Sequence, residues 1–516
     1  MTREIYLDAN ATSPLLPAAA AAAMAAMQDG FGNPSSSHAS GLRARALREN
    51  VRACARRVVG AGTGRLMFNS GATEGIQTSV LSALCAIRER RAGAEGHADI
   101  VLVGATEHKA VPESLAHWNR LLGTGLELRV LPVDGHGRHR LDVLRALAPR
   151  VAMLCTMAAN NETGVVSDLD GIAAVLRDTA SPALWMVDCV QALGKLPLAL
   201  ADSRIDYAPF SGHKLYAPKG IGMLYVREGA PYTPLMCGGG QEAGQRSGTE
   251  NMSGIAALGA VLDALERGDT FLGDEALQAC RARLVSALEQ AFPGIVFNAP
   301  LEHTLATTLN FSVPGVTSGE LLDLFDAAGV RVSAGSACSA AQAAPSHVLD
   351  AMGLPGWRSG SALRLSFGPL FDTDALDLVC ERIARCGAAL ALPPASGPCQ
   401  LAEPPASNDD AGMELDAAAV QGWLAAHPDA LVIDVRDVRE HSVAGGAGMV
   451  QLHGRAAVNV PLARLAEHTG AWLGAESRPL LFVCRSGARS ARAARVLRAL
   501  GHPRARSLAG GFALAT

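Results

Sequence analysis

Ile205-Asp206-Tyr207-Ala208-Pro209-Phe210-Ser211-Gly212-His213-Lys214-Leu215 reads as a strand that stops at a turn of small polar residues carrying one lysine. Upstream, Asp99-Ile100-Val101-Leu102-Val103, Val151-Ala152-Met153-Leu154-Cys155 and Leu184-Trp185-Met186-Val187 are apolar runs of strand length. Periodic stretches, Glu74 to Arg91 and Asp168 to Asp178, separate them. The alternation predicts a mostly parallel sheet with helices on both faces, from about Arg65 to Val226. Ligands of such sheets collect at the carboxyl ends of strands. Most of the chemically interesting residues fall there.

The chain has 516 residues, enough for a large core plus a satellite. A helical segment from Asp274 to Phe292 opens an α+β region that runs to about Leu392. Residues 393–413 are rich in proline and small polar residues and read as an exposed linker. An α/β pattern restarts near Glu414 and continues to Thr516. Net charge is −4, which argues against a dedicated nucleic-acid binder. Eleven scattered cysteines without a CxxC pair fit a reducing cytosol better than a disulfide framework. Met1-Thr2-Arg3-Glu4-Ile5 enters a strand-like run rather than a leader, and no apolar stretch is long enough to span a bilayer. Ala18 to Met27 reads as a buried or half-buried helix. HExxH and clustered His/Asp ligands are missing, so no metal centre is expected.

A Schiff-base lysine and a nucleophilic cysteine together suggest pyridoxal phosphate (PLP) chemistry coupled to sulfur chemistry. Lys214 supplies the first, and Cys338 in Gly335-Ser336-Ala337-Cys338 the second. Ser70-Gly71-Ala72-Thr73-Glu74 leads into a helix whose N–H groups, with the Thr73 hydroxyl, suit a phosphate. Asp188 ends a strand and Gln191 lies three residues on; Glu107-His108-Lys109 ends another; Arg364 sits in Ser361 to Ser366. Each signal alone is ordinary. SGAT is commonly a helix cap, and an Asp after a strand is commonly a turn residue. Ser211 to Lys214 also matches S-x-x-K, but the accompanying K-T-G and S-D-N elements are absent. His97, His117, His136 and His139 read as surface histidines, and Cys54, Cys85, Cys155, Cys280 and Cys380 as small packed hydrophobes.

The order of these motifs resembles a class V aminotransferase-fold cysteine desulfurase of the NifS/IscS type, from Tyr6-Leu7-Asp8 to about Leu390. Asn160-Asn161-Glu162-Thr163-Gly164, Ser211 through Gly220, Arg246-Ser247-Gly248-Thr249 and Pro345-Ser346-His347-Val348-Leu349 carry it too. The resemblance implies PLP-dependent transferase fold type I, with a large mixed-sheet domain (about 15–260) and a small α+β domain. The small domain takes the N-terminal segment plus about 261–392, and the whole region is 1–392. It implies that Lys214 holds the cofactor and moves the Cα proton, that Asp188 meets the pyridine nitrogen, and that Gln191 bonds the phenolic oxygen. His108 would stack on the ring. Ala72, Thr73, Ser211 and His213 would form the phosphate site, with Thr249 reaching in from a partner subunit of a homodimer. Asn160 and Arg364 would orient the substrate carboxylate. Cys338 would take the sulfur of L-cysteine as a persulfide, leaving L-alanine.

Near the C-terminus, Leu480-Leu481-Phe482-Val483 reads as a buried strand followed by Cys484-Arg485-Ser486-Gly487-Ala488-Arg489 and an arginine-rich helix. A cysteine between strand end and helix start meets converging N–H groups and a positive dipole, both of which favour a thiolate. Residues 414–516 resemble a single rhodanese (sulfurtransferase) domain, through Val432 to Arg436 with Glu440, His453 through Pro461, the Cys484 loop and Gly510-Gly511-Phe512. The C-x4-R interval is one residue shorter than in related phosphatases, which favours a persulfide over a phosphate. Ser442 to Leu452 is a departure, extended and rich in glycine.

These readings predict a cytoplasmic sulfur-handling enzyme in which Cys338 passes persulfide sulfur to Cys484. A flexible tether of about 20 residues reaches roughly 25 Å and gives effective concentrations on the order of millimolar. The final acceptor stays open among iron–sulfur cluster assembly, tRNA thiolation and molybdenum-cofactor sulfuration. The alternative is a selenocysteine lyase or other PLP β-lyase whose C-terminal region only docks an acceptor.

Overall fold

The apolar runs of the first region join one seven-stranded sheet. Its strands lie in the order Arg65–Asn69, Gly222–Val226, Tyr207–Ser211, Leu184–Asp188, Val151–Met157, Ile100–Gly104 and Glu127–Leu131. All are parallel except Gly222–Val226, which runs against both neighbours. The computed structural model describes residues 4–91, 98–335, 346–394, 401, 412–445, 450–473 and 478–515. Strands buried on both faces favour apolar side chains at successive positions rather than alternate ones. Leu66, Leu102, Trp185 and Phe210 face one core, under the helices Ala39–Val58 and Met252–Arg267. Met67, Val101, Met186 and Tyr207 face the other, under Ala72–Arg91 and Ala110–Leu121.

A second core surrounds the antiparallel strands Leu363–Ser366, Thr308–Ser312 and Val296–Phe297. The helices Asp274–Ala291, Ser318–Ala327 and Leu376–Leu390 cover it. The N-terminal strand Ile5–Tyr6 pairs in parallel with Val330–Arg331, so the chain begins on this second unit before entering the first. A third core encloses a six-stranded sheet in the order Glu414–Leu415, Ala505–Leu508, Leu480–Val483, Leu431–Asp434, Arg455–Asn459 and Gln451–Leu452. Its last strand alone is antiparallel. The expected α/β class, a large mixed sheet with a small α+β unit followed by a small α/β unit, is what the chain forms. Most of residues 393–413, read as a linker, lie outside the described residues.

Three local expectations need correction. The helix Pro17–Gln28 buries only Ala19 and Ala26, while Met24 is 55 % and Met27 59 % exposed. Alanine-rich sequence raised the helix but did not specify what it packs against. His139 is buried, and burial lowers its pKa to about 4. It lies under Gly104, where the strand end leaves room for a ring. His117 and His136 are exposed as expected, and His97 lies outside the described residues. Finally, of the stretch Ser442 to Leu452, Ser442 to Gly445 continue the helix Val438–Gly445 while Gln451–Leu452 form a strand, and residues 446–449 lie outside the described residues. Among the described residues no helix is long and apolar enough to cross a membrane.

Candidate active site

Parallel strands bring their carboxyl ends to one edge of the seven-stranded sheet. There they surround a cavity of about 460 Å³ lined by Ala72, Thr73, His108, Asp188, Gln191, Ser211, His213, Lys214 and Arg364, among others. Thr73 stands in the first turn of Ala72–Arg91, where helix N–H groups are unpaired. The turn before it favours Gly71, whose φ of +149° side-chain-bearing residues rarely adopt. Glu74 accepts from the Ser70 N–H at 2.8 Å and from Arg246 Nε at 2.9 Å, which pins the loop.

Lys214 ends a short 3₁₀ turn after Tyr207–Ser211, and its Nζ donates to the carbonyls of Asn10 and Ala11 at 2.8 and 2.7 Å. Its positive charge organises the neighbours. Burial first, then Lys214 and Lys219, lowers the pKa of His213 to about 4; its Nδ1 lies 3.1 Å from Thr12 Oγ1. Burial, then Lys214 and His347, lowers that of His108. The Ala110 N–H donates to His108 Nδ1 at 3.2 Å, so the proton of the neutral ring sits on Nε2. Burial raises Asp188 to about 6, although the Val190 N–H and Lys214 pull it down. A buried carboxylate of this kind gains from a cationic partner.

Arg364 is 1 % exposed and reaches across from the second unit. It donates to the Asn161 carbonyl at 2.8 Å and pairs with Asp8, while its Nε has no partner among the described residues. Asn160 does not join this cluster at the cavity wall. Its Oδ1 accepts from the N–H groups of Glu162 and Thr163 at 2.9 and 2.8 Å, and its Nδ2 donates to the Thr106 carbonyl at 3.0 Å. The side chain builds the loop, and Asn161 lines the cavity instead. Thr249 is exposed and is not among the lining residues. Cys338, with Ser336 and Ala337, lies outside the described residues.

Two residues of the site escaped the sequence reading. Lys195 is half-buried behind Gln191, donating to Gln191 Oε1 at 2.7 Å and Asn10 Oδ1 at 3.2 Å. Burial, then Lys214 and Arg364, lowers its pKa to about 7. Asn10 accepts from Gln191 Nε2 at 3.1 Å and donates to Thr308 Oγ1 at 2.9 Å, tying both units to the cavity. The available signal for Lys195 was its place four residues after Gln191 in an apolar stretch. Asn10 gave none.

Cys484 follows the buried strand Leu480–Val483 and is itself 0 % exposed. The Gly487 and Ser490 N–H groups donate to its Sγ at 3.2 and 3.4 Å. Gly487, at φ +91°, has no room for a side chain, because a Cβ would meet Gly510 N at 2.9 Å. Arg489 clamps Glu440 with two bonds of 2.6 and 2.9 Å. Ser486 and Ala488 complete the loop, from which Ala488–Ala499 departs as a helix.

The family profile described as Aminotransferase class-V matches residues 5–379, and that described as Rhodanese-like domain matches 416–514. A protein of Bradyrhizobium diazoefficiens named cysteine desulfurase is 38% identical over 370 residues, covering 70% of this chain and 89% of that one. A cysteine desulfurase of Cereibacter sphaeroides is 36% identical over 73% of this chain and 94% of its own. Among solved structures, a NifS-like protein superposes with a TM-score of 0.65 at 30% identity, over 74% of this chain and 98% of its own. A NifS-like protein of Rickettsia africae gives 0.62 at 26%, over 73% and 98%.

Proposed function

The chain belongs to the aminotransferase class-V family, and on that premise we propose that it is a PLP-dependent cysteine desulfurase with its own sulfur-carrying C-terminal unit. The observation that carries this reading is the convergence of Lys214, Asp188, Gln191, Thr73, Ser211 and His213 on one cavity. These residues fit PLP. Thr73, Ser211 and His213, with the N–H groups of Ala72 and Thr73, would hold the phosphate. Asp188 would meet the pyridine nitrogen, Gln191 the phenolic oxygen, and Lys214 the aldehyde carbon. When bound, PLP supplies an electron sink for the substrate's Cα.

The chain's own residues supply the rest. Lys214 Nζ takes and returns the Cα proton. His108, neutral and carrying its proton on Nε2, serves as a second proton carrier. Arg364, with a buried Nε still available, orients the substrate carboxylate. Asn160 supports this site by shaping the loop that presents Asn161. The net transfer is balanced: L-cysteine and the Cys338 thiol become L-alanine and a Cys338 persulfide. Cys484 then takes the outer sulfur as a persulfide and regenerates the Cys338 thiol. Delivery to an external thiol or thiophile follows. Homodimerisation would bring Thr249 of one copy to the phosphate site of the other; its exposure and the exposed Met24, Met27 and Phe31 support such pairing.

Persulfide mapping tests the reading. The protein is given L-cysteine without reductant, alkylated, digested and analysed by mass. Sulfur on Cys338 and Cys484, with the Cys484 label lost in Cys338→Ser, is the expected result. Alanine release without sulfur on Cys338 would overturn the desulfurase mechanism. Sulfur on Cys338 alone would remove the relay.

A further inference from the structure

The Cys484 loop does not present its arginines to solvent alone. Helix Ser318–Ala327 of the second unit lies against it. Arg485 Nη1 donates to Asp323 Oδ1 at 2.7 Å, and Arg485 Nε is 3.0 Å from Asp326 Oδ2. Arg489 Nη2 lies 3.6 Å from Asp323 Oδ2 while the same guanidinium holds Glu440. The two aspartates are three residues apart, on one face of the helix. A capping box of Thr317 and Glu320 fixes the start of that helix and so the direction of both carboxylates. The contact also has an apolar anchor, because Val443, on the helix that carries Glu440, is 2 % exposed and packs into the core of the second unit.

Guanidinium groups flanking a sulfur-carrying cysteine are suited to the oxyanion end of an anionic sulfur donor. We propose that Asp323 and Asp326 occupy this anion subsite as an internal carboxylate ligand. While the units are docked, they bar small anionic donors such as thiosulfate from Cys484 and reserve it for sulfur from the same chain. The proposal rests on Cys484 being a sulfur carrier. The excluded reaction is defined. The Cys484 thiolate attacks the outer sulfur of thiosulfate, a new S–S bond forms on Cys484, the thiosulfate S–S bond breaks, and its electron pair leaves with sulfite. Cyanide then takes that sulfur as thiocyanate and restores the thiolate.

The experiment uses the full-length holoenzyme and the variant Asp323→Asn/Asp326→Asn. Two reagents probe Cys484, each read by peptide mass. One is the anionic sulfonatoethyl methanethiosulfonate, which leaves a mixed disulfide on Cys484 and expels methanesulfinate. The other is neutral iodoacetamide. The variant should react with the anionic reagent about ten-fold faster, the scale expected from losing a few partly exposed ion pairs, and with the neutral reagent much less so. The KM for thiosulfate in thiocyanate formation should fall in parallel, while alanine release from L-cysteine stays unchanged. Asp377→Asn removes an equally anionic, 84 % exposed carboxylate that pairs with Arg283 and not with Arg485 or Arg489; it should change neither rate. Each single variant should move the anionic rate in the same direction, which keeps the test open should the double variant fold poorly. An unchanged ratio of anionic to neutral rates overturns the assignment, whatever the persulfide map shows. A raised ratio upholds it even where L-cysteine leaves Cys484 without sulfur, a result that counts against the relay alone.

Discussion

Lys214 and Lys195 show how one residue type divides into two tasks within a single site. Lys214 lines the cavity and is held at the end of a strand by two carbonyls. Replacing it with alanine should cut alanine release by about 10²–10⁴-fold and abolish the visible band of the bound cofactor, read by absorbance on the same sample. Lys195 instead grips Gln191 Oε1 and so turns the Gln191 amide N–H groups away from itself. Lys195→Met should shift the pH at which the cofactor band titrates, because Gln191 loses the partner that orients it. Lys195→Arg should restore part of the shift. An unmoved titration would mean that Lys195 only fills space. His108 has a depressed pKa in the folded protein, caused first by burial. It therefore stays neutral to lower pH than an ordinary histidine, and activity dependent on it should persist on mild acidification. Mutation to alanine should remove that acid limb from the rate profile.

At the scale of elements, the decisive devices are strand ends and helix starts. Ser211 to Lys214 and Cys484 to Gly487 both occupy the point where a parallel strand stops, and there backbone N–H groups are unpaired and side chains converge. The helix Val438–Gly445 joins two units through Val443. Val443→Ala should weaken their docking by about 2 kcal/mol, seen as faster amide exchange in Ser318–Ala327. The end of the neighbouring strand Leu431–Asp434 carries a different sensitivity. Burial alone would raise the pKa of Asp434, but bonds from His441 and Arg436 hold it below the usual value. A depressed folded pKa contributes stability that is present above the unfolded value of about 3.9 and lost as pH falls through the folded one. Thermal unfolding of the C-terminal unit should thus be flat near neutrality and fall below about pH 4, and Asp434→Asn should flatten that acid slope.

Across the whole molecule, three units are strung on one chain and tied by a few long-range contacts. Asn10 and Arg364 join the first two units, and Arg485 joins the third to the second over 162 positions of sequence. On the proposed pairing of two copies, a polar change at Phe31, 70 % exposed, should shift the mass in light scattering from dimer toward monomer and lower alanine release with it, since Thr249 would then lack the site proposed for it. The alternation of apolar runs and periodic stretches determined the sheets, because a strand buried on both faces favours apolar side chains at successive positions. Small residues after strands determined where Lys214 and Cys484 stand, because turn chemistry suits those points, and the end of an apolar run marked Asp188. These properties are local, so the sequence alone carries them. Only the tertiary structure decided that Asn160 serves the loop and Asn161 the cavity, that His139 is buried and that Pro17–Gln28 is largely exposed. It also decided that Lys195 stands behind Gln191 and that Asp323 faces Arg485. Each of these outcomes depends on which distant segment arrives alongside, and spacing within a segment does not encode that.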